Sequence, residues 1–213
     1  MIMDTIHLDK ENNTIVKELT GNQSYHIHMT QQWEYFLCLL LQNGKTEVVV
    51  SSDVPDVSMT IVCISYATQD KPATLYVDGQ TNHDRVHIDM TLLSLAGQWA
   101  VLDVQWGISM PVGVVKTEWY LLQENILLHP SARVRAVPKL DIHSNDVKAS
   151  HGARVHAIDD TELFYMQAKW LSSQESKKLY IQWYVQNMFD KIPNIDQSFV
   201  EKQHHRIATD LSL

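Results

Sequence analysis

The chain changes period at Asp159, and that change constrains its fold more than any other feature. Before it, short runs rich in Val, Ile, Thr, Tyr and Trp return roughly every 8–12 residues, the composition of pleated, half-buried strands. The expected strands are 25–29, 35–41, 47–50, 58–66, 73–77, 85–90, 99–105, 113–115, 117–122, 125–128, 133–137, 139–142, 146–149 and 153–158. In 85–90, Val86, Ile88 and Met90 fall on one face and Arg85, His87 and Asp89 on the other. Turn signals are sparse: the chain has seven glycines, and Asn43-Gly44 and Asp78-Gly79 are its two hairpin-type pairs. Many rungs and few hairpins favour a β-solenoid over a sandwich, although no fixed repeat period is visible.

After Asp159 apolar residues return at helical spacing. Asp159-x-x-Glu162 reads as a capping-box start, with Leu163, Phe164 and Met166 as its apolar face. Ser172-x-x-Glu175 starts a second helix. Leu179 and Trp183, and Tyr180 and Tyr184, stand four apart there, with Ile181, Val185, Met188 and Phe189 widening the stripe. Beyond Pro193, Phe199, Gln203, Ile207 and Leu211 mark a third helix over about 196–211. The expected fold is mainly β: a core over 1–158, then a small helical domain over 159–213.

Composition excludes several functions. With 17 Lys+Arg against 25 Asp+Glu, a net charge of −8 and no basic block, the chain lacks the footprint of a nucleic-acid binder. The longest apolar run, 35–41, is too short to span a bilayer, and residues 1–7 lack the pattern of a signal peptide. Cys38 and Cys63 lie in apolar runs with no CxxC, so they read as buried structural thiols in a reducing cytoplasm. There is no GxxxxGK[ST], no GxGxxG and no local Ser-His-Asp or Cys-His set, so the chain reads as a non-enzyme.

Four segments, in order, resemble the SufB/SufD family of iron–sulfur cluster assembly proteins. Gln123-Glu124-Asn125-Ile126-Leu127-Leu128 is similar to the family's strand before its last rungs, and Pro138-Lys139-Leu140-Asp141-Ile142 to its Pro-x-Leu-Glu-Ile. Asn145-Asp146-Val147-Lys148-Ala149-Ser150-His151-Gly152-Ala153 is similar to its Asp-Asp-Val-Lys-Cys-Ser-His-Gly-Ala. Ile158-Asp159-Asp160 and Leu163-Phe164-Tyr165 are similar to the start of its C-terminal helices. The resemblance covers roughly 110–191 and implies a right-handed β-helix with a helical end. It also implies pairing through the last strands, over about 133–158, with a SufB-like partner or a second copy, and docking of a SufC-type ABC ATPase on the helices.

By the same resemblance, Asp146, Val147, Ser150, His151 and Gly152 form the interface motif, with His151 the expected iron–sulfur ligand and Gly152 a bend. Phe164, Tyr165, Tyr180, Trp183, Tyr184 and Phe189 form the expected ATPase-facing surface. Ala149 stands where the family often has cysteine, the SufB-type cysteine position falls near Ala132, and Lys169-Trp170 replaces a usual Arg-Gly. A cluster is therefore expected to be shared with a partner, not held tightly by this chain alone. The chain reads as a shortened, SufD-like member of about half the usual length, without the N-terminal helical domain. One alternative is a structural paralogue that binds no cluster. The other is a metal-dependent β-fold enzyme: Gly21, His26, His28, Glu34 and Gly44 loosely resemble the first cupin motif, and His-x-His puts two imidazoles on one strand face. His143 and His156 are further residues that strand pairing could bring to His151.

Overall fold

The structure, a computed structural model, describes residues 3–158 and 160–213. Eleven strands come first: β1 (Met3–Leu8), β2 (Thr14–Thr20), β3 (Gln23–Met29), β4 (Glu34–Ser52), β5 (Ser58–Ala67), β6 (Ala73–Thr81), β7 (His87–Ala96), β8 (Val101–Met110), β9 (Thr117–Leu127), β10 (Arg133–Ile142) and β11 (Val147–Ala157). Helices α1 (Asp160–Gln167), α2 (Ser173–Phe189) and α3 (Gln197–Asp210) follow. The strands wind as a β-helix between two faces. β1, β3, the second half of β4, β6, β8 and β10 make a front sheet. β2, the first half of β4, β5, β7, β9 and β11 make a back sheet. Every strand pairing is parallel, so the antiparallel barrel that the cupin alternative needs is not this fold.

Register shows why no repeat was visible. Ser58 pairs with His87, His87 with Glu118, and Thr117 with Val147, so the step between rungs is near thirty residues but not constant. The hairpin reading of the two Xaa-Gly pairs is corrected. Asn43-Gly44 is a corner inside β4, where the chain passes between sheets: Gly44 has φ +79°, faces Gly21 closely, and Asn43 Oδ1 accepts from Gly21 N at 3.1 Å. A corner and a hairpin both require φ > 0, so the dipeptide alone cannot distinguish them. Gly79 lies within β6, and its missing side chain leaves room for the ring of Trp119. Gly152 is no bend either, because β11 runs unbroken through it. Residues 113–115, expected as a strand, lie in the connection between β8 and β9, and β1 and β2 went unpredicted.

Burial follows coverage. β6 and β8 alternate inside and outside because the outer front face meets solvent. β5 and β7 are buried almost throughout because helices cover the outer back face. Leu37, Ile61, Cys63, Leu92, Val104 and Trp119 belong to the core between the sheets. Cys38, Leu40, Val62, Ile64, Leu93 and Ile126 join Ile181, Val185, Phe189 and Ile207 in a second core under the helices. The Ser172–Glu175 capping box forms as read, and Asp196 caps α3. The box expected at Asp159 lies outside the described residues.

α3 is tied to the back sheet by charge. Arg206 Nη1 donates to Glu18 Oε2 at 2.7 Å and Gln203 Nε2 to Glu18 Oε1 at 2.6 Å, while Arg206 also donates to Gln42. Burial would raise the Glu18 carboxyl, but these hydrogen bonds and the Arg206 charge outweigh it and hold the group below its ordinary 4.5. A lowered carboxyl contributes stability that is present above the unfolded value and lost as pH falls through the folded one. Thermal melts should therefore drop more steeply below about pH 4.5 in the wild type than in Glu18→Gln, which keeps size but not charge. Equal slopes in the two proteins would refute this role.

Candidate functional site

The motif expected at an interface lies on and just before the last strand. Among the described residues, β11 pairs only with β9 on the back face and β10 only with β8 on the front, so each ends its sheet with one unpaired edge. In a parallel solenoid the last rung has no successor to cover it, which leaves backbone donors and acceptors available to a partner. Ala149 and His151 share one face of β11, in register with Trp119 and Leu121. Ala149 packs against the inner core and His151 is exposed, as are Ala153 and Val155 beyond it. Leu140 of β10 is a further exposed apolar group on this rung. Residues Leu140 and Val155 were not singled out from sequence; only knowledge of which rung is last makes them conspicuous.

The other motif residues are brought to the same strand or its entry. Asp146 precedes β11 and accepts from Lys116 N through its carbonyl at 2.6 Å. Val147 packs on the inner core, and Ser150 and Gly152 lie on the outer face of β11, exposed. His143 and His156 do not join His151. His143 Nε2 pairs with Asp141 at 2.9 Å, and His156 is on the opposite face of β11, 3.2 Å from Glu124 Oε1. Among the described residues, no set of three or more His, Cys, Asp or Glu side chains is arranged to hold a metal ion. Burial pushes the Cys38 thiol up to about 12 and Cys63 higher still, the reverse of what a thiolate ligand needs. Glu34 begins the back-sheet half of β4, whereas His26 and His28 lie on β3 in the front sheet beside Ser51 and Asp53, so the cupin set is not assembled.

The helical surface divides. Phe164, Tyr165 and Trp183 are exposed, and Tyr165 and Trp183 line a shallow apolar groove between α1 and α2 with Met166 and Tyr180. Trp170, 98% exposed in the turn between these helices, extends the patch. Phe189 is corrected: it is fully buried in the core beneath the helices and offers no surface, while Tyr180 is largely buried in that core and reaches the groove only at its floor. Tyr184 is half-buried, with its ring edge-on to Trp183 at 4.8 Å. A stripe this wide on α2 must face two ways, and only the docked sheet decides which residues face in.

The described residues thus form a parallel solenoid whose last rung has a free edge, with an exposed aromatic face on its helices. Residues 107–182 match the family described as SUF system FeS cluster assembly, SufBD core domain. The chain is 36% identical over 67 residues to the iron-sulfur cluster assembly protein SufD of Escherichia coli, covering 32% of this chain and 16% of that protein. It is 34% identical over 73 residues to protein ABCI7, chloroplastic, of Arabidopsis thaliana, covering 34% and 15%. It is 30% identical over 84 residues to an iron-sulfur cluster assembly SufBD family protein of Synechocystis, covering 39% and 18%. These matches, all through one segment of the chain, support membership of the SufB/SufD family of iron–sulfur cluster assembly proteins. The aligned stretch is less than a fifth of each of these three relatives. Among the described residues, no helix is long and apolar enough to cross a membrane.

Proposed function

We propose that this chain is a non-enzymatic component of an iron–sulfur cluster assembly scaffold, more SufD-like than SufB-like, in a soluble compartment. Its last strands, over about 133–158, pair with a SufB-like partner or a second copy. The exposed aromatic face of α1 and α2 docks a SufC-type ATPase, which supplies the nucleotide hydrolysis for which this chain has no phosphate loop. The observation that carries this reading is the placement of His151 and its motif on the terminal strand, whose outer edge has no partner among the described residues, inside the segment that matches the SufBD core.

The cluster is cargo here. One imidazole beside Ala149 falls short of the roughly four ligands that iron–sulfur clusters take, so a partner must bring the rest. The test is anaerobic reconstitution with ferrous iron and sulfide, on the chain alone and then with its ATPase and a SufB-like partner. The expected result is little visible cluster absorption alone, strong absorption in the complex, and a marked loss with His151→Ala. A complex that forms but never holds a cluster would make the chain a structural member only. Failure to form any complex would overturn the scaffold reading.

A further inference from the structure

At the end of the front sheet opposite β10, register brings together three imidazoles that sequence order keeps apart. β1 and β3 pair with His7 beside His28, and His26 lies two residues before His28 on the same face. The His26 and His28 rings stack, centroids 5.1 Å apart and 14° from parallel, and the His7 ring is 5.7 Å from His28. Each ring on β3 is also held from behind. Asp53 Oδ1 lies 2.7 Å from His28 Nε2, and Ser51 Oγ lies 2.7 Å from His26 Nε2. A carboxylate only accepts, so a neutral His28 carries its proton on Nε2 and keeps a lone pair on Nδ1. That is how a metal-ligating histidine is ordinarily oriented, with its second nitrogen donating to a carboxylate.

We propose that His7, His26 and His28 form a capture site for a borderline divalent transition-metal ion of the Zn²⁺, Ni²⁺ and Cu²⁺ class, with Asp53 orienting His28. Imidazole nitrogens suit these ions, and three of them leave a coordination position for water. As folded, the rings stack and do not converge, so capture requires side-chain rotation. The site is remote in sequence from the terminal rung and independent of the scaffold reading.

Zn²⁺ titration of the full chain by calorimetry at neutral pH, with Co²⁺ absorption as a check on coordination, tests it. One ion per chain is expected, with affinity lowered by about tenfold or more in His26→Ala, His28→Ala and Asp53→Asn and unchanged in His151→Ala. His7 is exposed on β1, so His7→Ala carries the same test should a variant of the less exposed histidines fail to fold by circular dichroism. Absence of stoichiometric Zn²⁺ binding, or binding unchanged in every one of these histidine variants, would overturn the proposal. Binding lost in His151→Ala but kept in His26→Ala would also overturn it, by placing the ion on the last rung.

Discussion

Gly79→Ala is expected to destabilise the protein by about 3 kcal/mol or more, a fall of roughly 10 °C in thermal melting. A methyl group at Gly79 would land inside the Trp119 indole, overlapping its Cη2, Cζ2 and Cζ3 atoms. Trp119 is 1% exposed and enclosed between the two sheets, so it has nowhere to move without displacing the rungs around it. The backbone at Gly79 is not in the left-handed region, so the effect is steric and not conformational. Gly152→Ala is the matched control. Its added methyl would sit 3.5 Å from Leu122 Cδ1, an ordinary contact, and its melting should move by about 0.5 kcal/mol at most. Equal melting of the two variants would show that the Trp119 ring relocates freely.

Gln123→Leu is expected to cost about 2–5 kcal/mol and to loosen the last rung. Gln123 is fully buried, accepts from Trp106 Nε1 at 3.1 Å and donates to Asn125 Oδ1 at 3.0 Å. Asn125 Nδ2 in turn donates to the Arg154 carbonyl at 2.9 Å. This chain of bonds crosses the solenoid interior from β8 to β9 and rises to β11, the strand that carries His151. Leucine keeps the volume but strands a buried indole N–H and an amide oxygen, each at about 1–3 kcal/mol. Hydrogen exchange along 147–157 should quicken, and the melting temperature should fall. Unchanged exchange on β11 would separate the polar chain from the stability of the proposed interface.

Much of this was legible in the sequence for a local reason. The 146–153 motif, the Ser172–Glu175 box and the strand-to-helix change are short-range patterns, and the structure keeps them as β11, the start of α2 and the order of elements. What was misread depended on distant neighbours. Asn43-Gly44 and Asp78-Gly79 carry the same local signal, yet one turns a corner opposite Gly21 and the other makes room for Trp119, some forty residues on. On α2, Tyr180 and Trp183 read alike, and the back sheet buries one and leaves the other exposed. The cupin-like spacing linked His26 and His28 to Glu34, whereas β1 pairing gives them His7.

By itself, then, the sequence determined a run of short strands closed by helices and a resemblance to the SufB/SufD family, because periodicity and motifs are properties of neighbouring residues. Which strand ends the solenoid, which aromatic residues remain outside and which histidines meet were decided only by the tertiary structure. These outcomes follow from rung register between residues about thirty positions apart, and a variable step leaves no periodic trace from which to read it.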